Sequence, residues 1–162
     1  MRYAYSFQPD TRQSNQSPTA VLTAIAIPVF TSQLEKSREA VDLSNIRSYY
    51  AEIVPAILTG DLDDSTDKIS IQGKEVTTTG AKSGGKYADF TVTVPLGAKD
   101  VKQSVSQWQT TTDLEIGGYV IPATTDMVGA SAIVYSFKVQ TDGDIELNGT
   151  NGITFTAGGS GG

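Results

Sequence analysis

The stretch that decides the fold runs from Ala24 to Tyr50, AIAIPVFTSQLEKSREAVDLSNIRSYY. It belongs to a longer run that starts at Pro18 and is dominated by the helix-favouring residues Ala, Leu, Glu, Lys and Arg. Proline suits the first turn of a helix, because the N–H that it lacks would have no partner there. The pattern predicts one long helix over residues 19–60, which ends at Thr59-Gly60.

The two halves of this helix differ in how their apolar residues are arranged. In the second half they recur at spacings mostly of three, four or seven, which predicts one buried face: Leu34, Val41, Leu43, Ile46, Tyr50, Ile53 and Ile57. Charged residues occupy intervening positions: Glu35, Lys36, Arg38, Glu39 and Asp42. The first half, Val21 to Phe30, is apolar on nearly all sides and is expected to need partners all round.

After Gly60 the apolar period changes from that of a helix to that of a strand. Alternation at 90–96 and 132–140 predicts two strands with one face inward, and residues 69–71 and 75–79 suggest a small hairpin around Gly73. Asp142-Gly143 and Asn148-Gly149 are typical of tight turns and predict a three-stranded antiparallel meander. Residues 101–108 are read as a short helix or an irregular crossing.

Together these patterns predict an α+β fold in which a long N-terminal helix packs on a mostly antiparallel sheet of about four strands. We expect residues 1–18 to form a disordered leader, 61–157 to form the sheet-containing head, and 158–162 to be a flexible Gly-rich tail.

The segment AIAIP, followed by an amphipathic helix and then by strands, resembles the type IV pilin and pseudopilin family. In that family an apolar half-helix precedes this segment and the amphipathic half packs on an antiparallel sheet. The resemblance implies a non-enzymatic subunit of an extracellular or cell-surface filament. Its expected partners are further copies or related pilin subunits. The implied assembly interface is Val21, Leu22, Ile25, Ile27, Pro28, Val29 and Phe30.

The N-terminus departs from the family pattern. Counting back from Pro28 places the family's first mature residue at Phe7, but Ser6 stands where the processing peptidase needs Gly, and Thr11 replaces the family glutamate. We therefore expect processing to fail. Since polar residues replace the apolar half-helix, membrane association is expected only where that half-helix is restored, and no secretory or membrane-spanning segment is recognisable.

Composition excludes several other classes of function. The chain has 162 residues, no Cys and no His, and a net charge of −6. Nucleophile systems that need His or Cys, and metal sites that need nitrogen or sulfur ligands, are therefore absent. The negative charge also makes nucleic acid an unlikely default partner.

Two clusters offer oxygen ligands of the kind that bind Ca²⁺, the one cofactor that the sequence suggests. The first is Asp61, Asp63, Asp64 and Asp67, and the second is Asp142 and Asp144 with Asn148 and Asn151. Neither follows the EF-hand spacing, and Asp and Asn also favour turns, so solvated turns explain both. Paired carboxylates without flanking sugar-positioning groups make catalysis an outlying alternative.

Three further features have two readings each. Trp108 with Tyr119 could contact a sugar or peptide, although a single Trp in a small domain usually belongs to the core. Asn148-Gly149-Thr150 fits a glycosylation acceptor or simply a turn. For the whole chain, the alternative to a filament subunit is a soluble ligand-binding or adhesin-like pilin head that has lost its polymerising half-helix.

Overall fold

The computed structural model describes residues 18–59, 68–83, 86–110, 113–140 and 144–157, with side chains from 29 onward except at 81–83 and 86–88. One long helix packs against a mostly antiparallel sheet, so the predicted α+β class is confirmed. The sheet has six strands rather than about four, and a separate two-stranded hairpin lies beside it.

The helix, α1, runs without interruption from Pro18 to Thr59, within one residue of the prediction at each end. Its length of 42 residues corresponds to about 63 Å at 1.5 Å per residue. Near its end the Thr59 hydroxyl donates a hydrogen bond to the Pro55 carbonyl at 3.0 Å. This is the bond to the carbonyl four residues earlier that Thr hydroxyls often form within a helix.

The main sheet begins with three antiparallel strands, β1 (Lys68–Ile71), β2 (Lys74–Ser83) and β3 (Lys86–Pro95). The two residues that join β1 to β2, Gln72 and Gly73, have φ of 51° and 74°. Positive φ at both central residues is the geometry of the tight hairpin turn that matches strand twist. The predicted hairpin around Gly73 is therefore confirmed.

The far side of the sheet is built on β6 (Ala130–Val139), which pairs with β3 along one edge. Its other edge pairs first with β7 (Ile145–Leu147) and then with β8 (Ile153–Ala157). The Ser136 N–H donates to the Gly152 carbonyl, and the Asn148 N–H donates to the Ser136 carbonyl, each at 2.8 Å. The predicted meander is wrong here, because Asn148-Gly149 opens a loop within one interrupted edge strand.

A two-stranded hairpin, β4 (Leu114–Ile116) and β5 (Tyr119–Ile121), was not predicted. Each strand has only three residues, too few for alternation to be visible in the sequence. Gly117 and Gly118 form its turn with φ of 55° and 79°. Residues 101–110 contain no helix or strand, in agreement with the irregular crossing that was one of the two readings.

The core lies between the second half of α1 and the inner face of the sheet. Ile46 and Ile53 are fully buried, and the predicted inward residues of the sheet are buried with them: Phe90, Val92, Val94, Ile133, Tyr135 and Phe137. The Tyr135 hydroxyl donates a hydrogen bond to the Ile46 carbonyl at 2.8 Å. Tyr50 and Ile57 are only partly buried, and Tyr49 occupies the fully packed position instead.

Candidate functional site

The N-terminal part of the described helix surface is apolar and open. Val29 is 57% exposed and Phe30 is 72% exposed. Leu34 and Val41, predicted to belong to the buried face, are also exposed. At 3.6 residues per turn, Phe30, Leu34 and Val41 lie within about 40° of one another. We call these three residues the apolar stripe.

The face of the helix that is actually buried continues into acidic residues. Glu35, Glu39 and Asp42 are nearly inaccessible to solvent and lie at the same heptad-like spacing as Ile46, Tyr49 and Ile53 further along. The prediction that Leu34 and Val41 form this face was therefore wrong. The next residue along the chain, Glu35 or Asp42, is buried in each case. Alternating steps of four and three from Glu35 to Ile53 would have revealed the face, but acids are rarely fully buried unless they are paired.

The three carboxylates bind the backbone of residues 102–110, which we call the anchored loop. Asp42 accepts from the N–H groups of Lys102 and Gln103 at 2.8 and 2.7 Å. Glu35 accepts from the N–H groups of Ser104 and Val105 at 2.6 and 2.9 Å.

Glu39 binds the end of the anchored loop. It accepts from the Gln109 N–H and from both the N–H and the hydroxyl of Thr110. Charge-assisted bonds of this kind are roughly twice as strong as neutral ones. The carboxylates thus provide acceptors for a segment that has no strand or helix of its own.

The surroundings of these acids shift two pKa values in opposite directions. Burial alone would raise the pKa of Glu35, but the Ser104 and Val105 N–H groups, the Ser104 hydroxyl and the Arg38 guanidinium stabilise the ionised form and lower it to about 2. For Asp42, burial outweighs its backbone hydrogen bonds and raises the pKa. Arg38 also donates to the Ser104 hydroxyl at 2.7 Å, which ties a helix cation to the anchored loop.

A buried side chain supports the anchored loop from its other side. The Gln103 amide nitrogen donates to the carbonyls of Val105 and Gln107 at 2.8 and 3.0 Å, and its oxygen accepts from the Met127 N–H at 3.1 Å. Trp108 and Tyr119 are buried, in agreement with the core reading of Trp108. The helix is therefore attached to the head from Glu35 onward through the anchored loop and the core.

Most of the site residues predicted from the sequence lie outside the described part of the chain. This applies to Ser6 and Phe7, to the four aspartates of the cluster at 61–67, and to the side chains at 21–28. In the remaining residues, no group of three or more acidic side chains is arranged to hold a metal ion. The described helix also lacks a stretch long and apolar enough to cross a membrane.

A groove lies over strands β2, β3 and β6, and we call it the polar groove for its hydroxyl and amide side chains, although Phe90 and Phe137 also line it. Among the residues that line it are Thr79, Thr91, Ser136, Asn148 and Asn151. The Thr91 hydroxyl donates to the Thr79 carbonyl at 3.2 Å, and the Asn148 side-chain oxygen accepts from the Thr150 N–H at 3.0 Å. The residues of the suggested glycosylation acceptor therefore form a local turn beside this groove.

Comparisons with known proteins assign no family to this arrangement. No family model matches the chain, and neither the curated proteins nor the solved structures contain a match. The class defined by the coordinates is thus a long N-terminal helix on an antiparallel sheet, with one open apolar stripe and one buried acidic face.

Proposed function

We propose that this protein is a structural subunit of a pilin-like filament, either an extracellular type IV pilus or a related pseudopilus, and that it assembles through its N-terminal helix. The observation that carries the proposal is the exposure of Phe30, which is 72%, on a helix whose buried face packs against the head from Glu35 onward. Large apolar side chains exposed together commonly mark an interaction surface. The sequence resemblance at AIAIP supports the same role.

The attachment of the helix supports a role in assembly. Because Glu35 and Glu39 fix the helix to the anchored loop, the apolar stripe is carried on a rigid element rather than on a mobile one. A rigid surface loses less conformational freedom when it binds, which favours association. The stripe would therefore be presented in one orientation relative to the head.

The expected association is weak for the stripe alone. Full burial of an apolar side chain of this size contributes about 1.5 to 3 kcal/mol. Docking entropy offsets much of this gain. Three such side chains would support concentration-dependent oligomers rather than long filaments, as would the adjoining apolar sequence from Val21 to Phe30.

The test is sedimentation velocity of the purified chain over a range of concentrations, with the variant Phe30→Ser/Val41→Ser. We expect the unaltered chain to form oligomers and the variant to remain monomeric with unchanged circular dichroism. The matched control is Leu58→Ser, because Leu58 is 65% exposed on the same helix but lies outside the stripe. This control should associate like the unaltered chain.

Two results would reject the proposal. One is an unaltered chain that remains monomeric at every concentration. The other is association that Phe30→Ser/Val41→Ser and Leu58→Ser reduce equally, since that would show no preference for the stripe.

A ligand-binding head is the second candidate, and the polar groove is the observation that favours it. Its hydroxyl and amide side chains offer donors and acceptors of the kind that bind sugars. A chain that is monomeric throughout, yet retained on an immobilised glycan and released by Thr91→Val, would favour this candidate.

A further inference from the structure

The charges on the exposed helix surface are sorted by sign. Between Val29 and Ala51 the helix contains three acids, and all three are buried against the anchored loop. Its bases are Lys36 and Arg47, which are exposed, and Arg38, whose side chain is 40% exposed. Lys36 and Arg47 have no ion-pair partner among the described residues. At 3.6 residues per turn, exposed Val29, Lys36 and Arg47 lie within about 20° of one another, on a face about 100° or more around the helix from the apolar stripe. This open face is therefore both apolar and basic.

The head carries a surface of the opposite sign. No Lys or Arg occurs from residue 103 to residue 137, whereas Asp113, Glu115 and Asp126 all lie in that segment and are exposed. Glu115 is directly opposite Val120 in the β4–β5 hairpin, and Val120 is 49% exposed. A cross-strand pair shares one face of its hairpin. This face is therefore apolar and acidic.

We propose that the helix face of one copy formed by Val29, Lys36 and Arg47 packs against the β4–β5 hairpin face of a second copy, formed by Glu115 and Val120. This inference rests on the proposed function and names the partner surface for it. Complementary charge would select the register of the contact, and the apolar residues would supply burial.

The geometry of such a contact is open-ended. The two surfaces belong to different elements, so each bound copy keeps one free helix surface and one free hairpin face. Contacts between two different patches generate rings or open filaments, in contrast to the closed dimers made by a self-complementary patch. A helix-to-hairpin contact would therefore let copies be added in succession.

A second copy is a better partner for this basic surface than an anionic membrane. Recognition of anionic lipid typically uses clusters of about four to eight bases. This helix face offers two, and the chain as a whole carries a charge of −6. Repulsion between that net charge and a lipid surface would oppose membrane binding.

The test uses two charge-reversal variants of the full chain, Lys36→Glu/Arg47→Glu and Glu115→Arg. The first has an acidic helix surface and an acidic hairpin face, and the second has two basic ones. Each variant alone should associate at least about tenfold more weakly than the unaltered chain. Mixed in equal amounts, they should regain association as alternating copies, because both contacts in the mixture pair opposite charges.

The matched control is Lys99→Glu/Lys138→Glu, which makes the same change in net charge at exposed positions outside both surfaces. It should associate like the unaltered chain at the same ionic strength. Circular dichroism of every variant verifies that the fold is retained. Association of the unaltered chain should also weaken as salt is added, because exposed charges are screened.

The possible failures are distinguishable. If the unaltered chain associates and the charge reversals leave it unaffected, or if the mixture does not regain association, the helix-to-hairpin contact is wrong while the proposed function stands. If the unaltered chain never associates, the proposed function fails. Co-sedimentation with vesicles containing half phosphatidylglycerol, by a chain that otherwise stays monomeric, would overturn the contact in favour of a membrane.

Discussion

Glu39 binds Thr110 through both of that residue's donors. Its Oε2 accepts from the Thr110 N–H at 3.0 Å and from the Thr110 hydroxyl at 2.7 Å, and its other oxygen accepts from the Gln109 N–H. The Glu39 side chain is almost completely buried. A single helix carboxylate thus fixes the end of a loop 71 residues further along the chain.

The first prediction is that Glu39→Gln destabilises the protein by about 2 to 4 kcal/mol. Glutamine keeps one acceptor oxygen, but its amide nitrogen is a donor and would face a buried N–H, which is also a donor. An unsatisfied buried donor costs about 1 to 3 kcal/mol, and the charge-assisted bond is lost in addition. Urea denaturation followed by circular dichroism measures the difference. Glu52→Gln is the matched control, since exposed Glu52 should change stability by less than about 0.5 kcal/mol. Equal losses in both variants would contradict this role for Glu39.

The sequence predicted the fold well where local pattern and burial agree. Alternation in β3 and β6 identified the inner face of the sheet, and Gly73 located the first turn. The path of β8 could not be predicted from the sequence, because Asn148-Gly149 has the same turn chemistry whether a strand reverses or is only interrupted.

Apolar periodicity missed the buried acidic face, because hydropathy ranks Glu and Asp as residues that prefer water to a protein interior. Burial of Glu35 and Asp42 is offset by N–H groups from a loop 60 or more residues away, and no local spacing in the helix indicates that loop. The same interaction displaced Leu34 and Val41 to the surface. Apolar periodicity alone therefore placed the helix in the wrong rotation over its central turns.

The second prediction concerns the core. Ile46→Ala should destabilise the protein by about 2 to 5 kcal/mol, because Ile46 is fully buried and truncation leaves a cavity. Val41→Ala, on the same helix but 44% exposed, should cost less than about 0.5 kcal/mol. Chemical denaturation of both variants provides the comparison. A reversed order of stability would mean that Val41, rather than Ile46, faces the sheet.

The third prediction is a pH dependence caused by Glu35. Its pKa falls from 4.5 to about 2 on folding, so the unfolded chain binds its proton more tightly. The stabilisation is therefore fully present above pH 4.5 and is lost as the pH falls towards 2. Buried Asp42, whose pKa is raised, contributes with the opposite sign. The Glu35 charge is one cause of that rise, so Glu35→Gln also removes part of this opposing effect.

The measurement compares the free energy of unfolding of the unaltered chain with that of Glu35→Gln across this range. The difference should be largest near pH 5 and should shrink steadily on acidification, because protonation removes the charge that the variant already lacks. A difference that does not change with pH would show that the Glu35 charge is not stabilised by folding.

The last prediction separates backbone strain from close packing in the β4–β5 turn. Gly117 and Gly118 both have positive φ, so alanine at either position carries a backbone cost of about 1 kcal/mol. At Gly117 the added Cβ would also meet the Tyr50 hydroxyl oxygen closer than van der Waals contact, whereas at Gly118 nothing lies within 4 Å of it.

Tyr50 has little freedom to move away, because its ring packs against Tyr135 and Phe137 with centroid distances of 6.4 and 6.3 Å. Gly117→Ala should therefore cost clearly more than Gly118→Ala, by about 1 to 3 kcal/mol, the usual range for overpacking. Combining Gly117→Ala with Tyr50→Leu, which shortens the opposing side chain, should recover part of that excess relative to Tyr50→Leu alone. Thermal or urea unfolding of the four proteins decides the matter. Equal costs at the two glycines would mean that the hairpin does not pack against the helix at Tyr50.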